Sequence, residues 1–362
     1  MVTATDTAIA TDTAIAMVTS MAITAIKRRN NGEMKERNSN IELLRIIAMA
    51  FIVIWHISIH AQRGEAVTHN FIAATTTTGV NLFLLITGYF GLRLRWKSYL
   101  NIIAMVIFYN FISIALNYFV LGVQPGAKDI LLTSQPFRIT THWFVDCYII
   151  LLLLSPILNI IKEKATNKQY FYLIGILVYL SCFIGLVMRS GINRNGYCVM
   201  QFVTMYYIGD ALKRFNIINN LKQNLFITTY IACTIILYID GVLDIQRTLA
   251  YNNPVLMLAA ISLFCFVAKR QFTNKHINSL AKYMFPIYLL QEGFFGNKIY
   301  HILYNIGVMQ GFCNLKYLFT LLFYIAILFV SAITLETIRK NIMNRPIDKL
   351  SNFLDKRVDI FP

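Results

Sequence analysis

Residues 41–61 read IELLRIIAMAFIVIWHISIHA. The run is apolar almost throughout and about 20 residues long, the length a helix needs to cross some 30 Å of hydrocarbon. Three basic side chains interrupt it: Arg45, His56 and His60. A charge inside a span costs about 2.5–3.5 kcal/mol on insertion scales, so such residues tend to face a cavity or a partner. Arg45 and His56 are eleven residues apart. At ~100° per residue, eleven steps return to within about 20° of the starting direction, with a rise of about 16 Å. The two therefore share one stripe of one helix, and His60 follows a turn later on the same side. Ser39 and Glu42 fit a capping box, which predicts a helix start near Ile41.

Similar apolar runs follow along the chain. We read about ten spans: 41–61, 69–91, 99–122, 142–161, 169–188, 197–213, 223–239, 253–269, 279–301 and 316–338. The alternation of a membrane barrel is lacking, so the expected fold is an all-α polytopic membrane bundle. Composition agrees. Of 362 residues 57% are hydrophobic and only 14% charged, where soluble proteins carry about a quarter charged. Mean hydropathy is +0.57.

The net charge is +16, from 33 Lys and Arg against 17 Asp and Glu. In a soluble domain this would suggest nucleic acid. In a membrane chain it is a topology signal, and no nucleic-acid partner is expected. With the N-terminus inside, 23 of the 33 fall on inside loops and ends, and eight on outside loops. This predicts both ends in the cytoplasm. Two cations, Arg45 and Lys282, lie within spans and are left unexplained by the loop bias. The six cysteines show no CxxC spacing and sit mostly in apolar runs. That argues against a disulfide framework or a zinc site, and no metal is expected.

Residues 1–36 do not read as part of the bundle. The hexad ATDTAI occurs twice in tandem, at 4–9 and 10–15, and no Lys or Arg precedes Lys27. We expect a disordered extension or an over-called start, with Met34 as the alternative initiator. The bundle then covers 37–340, and 341–362 form a cytoplasmic tail.

The polar groups inside the spans bear on chemistry. Two readings stand for the first helix. Arg45 snorkels to lipid phosphates and His56 is a satisfied core histidine; or the stripe is functional. A neutral imidazole in a low-dielectric bundle is a good general base, and a guanidinium near the cytoplasm suits a phosphorylated ligand. In the second span, Asn81 and Gly88 share a face, seven residues apart, which fits close helix packing as well as a chemical role. Arg93, Arg95 and Lys97 follow it, either as inside charge or as a phosphate cradle near Arg45. The fourth span opens with His142, Trp143 and Asp146. His142 and Asp146 are one turn apart and could pair. Trp143 is an interface anchor or, beside a carboxylate, a surface for a sugar ring. Glu292, in the outer half of the ninth span, has no adjacent base, so we expect a partner across the bundle in His56 or His60. Asp210, near the cytoplasmic end of the sixth span, is expected at the interface.

At these residues the chain resembles membrane acyltransferase family 3, which includes O-acetyltransferases of bacterial surface polysaccharides. The resemblance rests on NSNIELLRIIAM at 38–49, with an Arg-x10-His spacing that closes at His56. It rests further on GVNLF at 79–83 with Thr87, Gly88 and Tyr89, on Trp143-Phe144 with Ser155-Pro156, and on Ile287-Tyr288-Leu289-Leu290. It covers roughly 37–339. It implies a bacterial cytoplasmic-membrane enzyme with acetyl-CoA as the usual donor substrate, no bound cofactor, and a hydroxyl of a surface or lipid-linked polysaccharide as acceptor. By position Arg45 is the donor-side arginine and His56 the essential histidine; whether His56 acts as base or as covalent carrier stays open. Arg93 and Arg95 match the family's arginine pair loosely and would help to hold the CoA. His60, Trp143, Asp146 and Glu292 would shape the acceptor side. The family often has Ser where this chain has Thr87, and often a His where it has Gln291. The rivals are a transporter or flippase for lipid-linked sugars, which would show internal repeats that we do not see, and a succinyl- or other acyltransferase of the same family.

Overall fold

In the computed structural model, the structure describes residues 39–61, 66–133, 143–188, 190–193, 195–245, 249–312 and 314–357. The proposed extension 1–36, Met34 and His142 lie outside them. The described chain is all-α. It comprises α1 (Ser39–Ala61), α2 (Ala66–Thr76), α3 (Gly79–Phe90), α4 (Trp96–Leu121), α5 (Ala127–Thr133), α6 (Trp143–Lys164) and α7 (Asn167–Val178). Then come α8 (Val199–Arg214), α9 (Ile217–Asn220), α10 (Gln223–Val242), α11 (Pro254–Ala268), α12 (Lys275–Leu280), α13 (Met284–Glu292), α14 (Phe294–Gln310) and α15 (Leu315–Arg357). Seven helical segments are long and apolar enough to span a bilayer: Ser39–Ala61, His69–Phe90, Trp96–Leu121, Trp143–Lys164, Asn167–Val187, Gln223–Val242 and Leu315–Lys356. This is a multi-pass membrane bundle. Its outer helices turn large apolar side chains outward, among them Phe119, Phe171, Phe319 and Phe323, as a lipid-facing surface requires.

Local chemistry sets many boundaries. Thr166 and Gln169 form a reciprocal capping box ahead of α7. Asn253 caps α11, with Pro254 in its first turn, where a missing N–H costs nothing. Gly122 ends α4 in the left-handed conformation.

Two expectations are corrected. Ser39 does not cap its own helix. Its hydroxyl donates to Asn278 Oδ1 at 2.7 Å and accepts from Asn274 N, while Asn40 Nδ2 donates to the Ala268 and Arg270 carbonyls. The pair thus ties the start of α1 to the turn before α12, and Glu42 is left for Arg45. The ninth span is not one helix. A 3-10 turn (Ala281–Tyr283) leads into α13, and Gly293 breaks the chain in extended backbone before α14. A Cβ at Gly296 would fall 1.8 Å from the Gln291 carbonyl, so glycine is required for this fold-back. Asp210, expected near the cytoplasmic end of its span, is buried within the protein: Lys162 Nζ lies 3.1 Å from it and the Tyr170 hydroxyl donates to it at 2.8 Å. The chain past 340 continues as α15, held to the start of α4 by a Lys97–Asp348 ion pair at 2.7 Å.

The basic ends gather on one face. Beside Lys97–Asp348 and Lys162–Asp210, Arg214 donates to the Lys162 and Ala165 carbonyls, Lys269 to the Ile218 carbonyl, and Asn159 to the Leu92 carbonyl. On the opposite face, Tyr317 donates to the Ala61 carbonyl and Tyr251 N–H to the Asn195 carbonyl.

At the centre, α3 packs between α1 and α8. Gly88 and Gly209 let α3 and α8 touch along their backbones: a Cβ at Gly88 would sit 2.1 Å from the Tyr206 carbonyl oxygen. The packing role is thus the one Gly88 fills. Gly88→Ala forces these helices apart, and overpacking of this kind costs about 1–3 kcal/mol. We expect the detergent-solubilised variant to lose its monodisperse fraction at a lower temperature than the parent. Gly175→Ala, where a Cβ meets nothing within 4 Å, should not. Equal heat resistance of both variants would contradict this packing.

Candidate active site

The stripe on α1 faces a cavity of about 580 Å³. Arg45, Met49, Ile52 and His56 form one wall of it. At the Arg45 end the lining includes Phe90, Gly91, Leu92, Ala281 and Lys282; at the His56 end it includes Ile59, Trp143, Tyr197, Tyr251 and Tyr288. Between them the walls are largely apolar, with Val80, Phe83, Ile86, Phe144 and the hydroxyls of Thr87 and Tyr148.

His56 is held on both nitrogens. Nδ1 lies 2.7 Å from the Ile52 carbonyl oxygen one turn back. A carbonyl only accepts, so Nδ1 carries a proton. Nε2 lies 2.6 Å from Glu292 Oε1, an ion-pair contact between imidazole and carboxylate. The Gly293 break ends α13 at Glu292, and this brings the carboxylate against α1. Gln291 Nε2 stands 3.5 Å from His56 Nδ1, and Gln291 Oε1 has no partner. Since Nδ1 is a donor, the amide is better satisfied with its oxygen turned toward the ring. Five tyrosines, 197, 251, 288, 300 and 324, lie within electrostatic reach of Glu292. The His60 ring stacks between His56, at 6.0 Å, and Tyr300, at 5.3 Å. It buttresses the His56 ring without lining the cavity.

Arg45 pairs with Glu42 at 3.0 Å, its stem running along the cavity wall. Arg93 and Arg95 are exposed in the extended link between α3 and α4 and do not line the cavity. Lys282, unassigned in the sequence reading, does.

Trp143 belongs to an aromatic cluster: Tyr251 stacks on it at 5.6 Å and Tyr197 tilts against it at 4.5 Å. Both tyrosines come from the connections flanking α8 and α11, with no periodicity to mark them in sequence. Asn81 holds this cluster in place. Its Nδ2 donates to the Tyr251 carbonyl at 2.9 Å, and Gln201 Nε2 donates both to that carbonyl and to Asn81 Oδ1. Ser181, in a π-helical turn (Tyr179–Val187), completes the chain by donating to Gln201 Oε1. Asp146 is beside Trp143 but faces away from the cavity lining, and its Oδ1 is buried with no hydrogen bond. Its expected partner His142 lies outside the described residues. Tyr89 packs on Phe264, outside the cavity.

A paired imidazole and carboxylate, a cationic end and an aromatic end on one cavity suit transfer of a group from an anionic carrier to a hydroxyl. A family model described as an acyltransferase domain, that of acyltransferase family 3, matches residues 38–336. The chain belongs to this family of membrane acyltransferases. No curated protein and no solved structure gives a significant match. In this acyltransferase, Glu292→Gln keeps the size of the side chain but removes the carboxylate charge that faces His56. Acid–base catalysis contributes about 10²–10⁴-fold, so we expect at least a ~100-fold loss of acyl transfer in isolated membranes, with Glu292→Asp intermediate. Unaltered transfer by Glu292→Gln would exclude the pair from the chemistry.

Proposed function

We propose that this acyltransferase moves an acetyl group from cytoplasmic acetyl-CoA to a hydroxyl of a cell-surface or lipid-linked polysaccharide, in the bacterial cytoplasmic membrane. The observation that carries the reading is the single cavity that joins Arg45 to His56 and the aromatic cluster. The ~16 Å between the two side chains along α1 is of the order spanned by the pantetheine arm of CoA. Phosphates at the Arg45 end would place the thioester beside His56. Trp143, Tyr197 and Tyr251 offer flat faces to a sugar ring.

The acceptor hydroxyl attacks the thioester carbonyl carbon, and its proton passes to the His56–Glu292 pair. The C–S bond breaks, and the departing thiolate takes that proton to leave as free CoA. Desolvation in the apolar cavity strengthens the His56–Glu292 interaction and keeps water from hydrolysing the thioester.

The topology reading is ten passes with both ends cytoplasmic. Its supports are the loop-by-loop bias of Lys and Arg and the meeting of those basic ends on one face. A donor from the cytoplasm then enters at Arg45. The break at Gly293 is the feature that favours a transporter or flippase instead, but it also serves catalysis by delivering Glu292 to His56. Competition between acetyl-CoA and succinyl-CoA separates acetyl from other acyl transfer.

His56→Ala should abolish O-acetylation of the cell's glycan while the protein still inserts in the membrane. The readout is the acetate methyl signal in the proton NMR spectrum of the purified glycan. A signal equal to that of the parent strain would refute the reading.

A further inference from the structure

Most cations around the Arg45 end are already neutralised. Arg45 pairs with Glu42, Lys162 with Asp210, Lys97 with Asp348, and Arg339 and Lys340 with Glu336. Lys282 differs: among the described residues its side chain makes no ion pair, and of the cations without a carboxylate partner it alone lines the cavity. It sits on the 3-10 turn Ala281–Tyr283, which packs on α1, with Ala281 buried and Lys282 exposed. Lys340 lies over the neighbouring Tyr283 ring, 5.1 Å from its centroid, which pins the turn. An unpaired ammonium at the rim of an apolar cavity attracts an anion. Arg45, held by Glu42 at the same end of the cavity, contributes guanidinium N–H donors with little net charge.

We propose that Lys282 is a phosphate-binding residue of the donor site, meeting the diphosphate of the CoA thioester together with Arg45 and in place of Arg93 and Arg95. The inference rests on the donor reading above. A lysine acts here as a point charge, so arginine can replace it and glutamine cannot. The same chemistry would bind a lipid headgroup phosphate, and the test separates the two.

The test is calorimetric titration of the purified full-length protein in detergent with coenzyme A and, separately, with pantetheine, which keeps the thiol arm but has no phosphate. Lys282→Gln should weaken coenzyme A binding about tenfold, as expected for loss of one charge-assisted contact. Pantetheine binding should not change, and Lys282→Arg should restore the affinity for coenzyme A. Lys275→Gln, at the start of the preceding helix α12 and outside the cavity, should match the parent. Equal affinity of parent and Lys282→Gln for coenzyme A would overturn the assignment, as would an equal loss for both ligands. A parent protein that binds no coenzyme A overturns the donor reading itself, and the assignment with it.

Discussion

His56 Nδ1 donates to the Ile52 carbonyl and Nε2 lies 2.6 Å from Glu292 Oε1. In hydrocarbon neither a free imidazole nor a lone carboxylate is tolerable, because each unsatisfied polar group costs several kcal/mol. Each group therefore requires the other. That mutual need fixes α1 against α13 and demands a chain break directly after Glu292. Gly293 provides the break, and Gly296 lets α14 fold back over Gln291.

A second polar group imposes a similar requirement. Asn81 and Gln201 both donate to the Tyr251 carbonyl, so a connection between helices is held as firmly as a helix is. Leaving such a buried carbonyl unpaired costs about 1–3 kcal/mol. The outcome is a rigid aromatic wall at one end of an otherwise apolar cavity. The cationic end is built differently, from a lysine with no carboxylate partner among the described residues. The two ends of the cavity are therefore chemically distinct.

Much of this was legible in the sequence. Long apolar runs identify spanning helices because the bilayer leaves no other economical solution for the backbone. The 3.6-residue period puts Arg45 and His56 on one stripe, and both line one cavity. Glu292 was recognisable as a carboxylate in need of a partner across the bundle. The two cations that loop charge did not explain, Arg45 and Lys282, come together at one end of the cavity. What was not legible depended on tertiary contacts. Ser39 and Glu42 have the spacing of a capping box but are drawn to Asn278 and Arg45 instead. The ninth span is apolar enough to read as one helix, and its break follows from where Gly293 must place Glu292. Tyr197 and Tyr251 lie in connections, where no periodicity marks them. Arg93 and Arg95 have the right charge and the right neighbourhood, but point to solvent.

The central claim is that one cavity carries the donor thioester to His56. Cryo-electron microscopy of the full-length protein with coenzyme A tests it most directly. The account predicts ligand density along α1, with the nucleotide phosphates at Arg45 and Lys282 and the thiol at His56. Density for coenzyme A seated elsewhere, with this cavity empty, would contradict it.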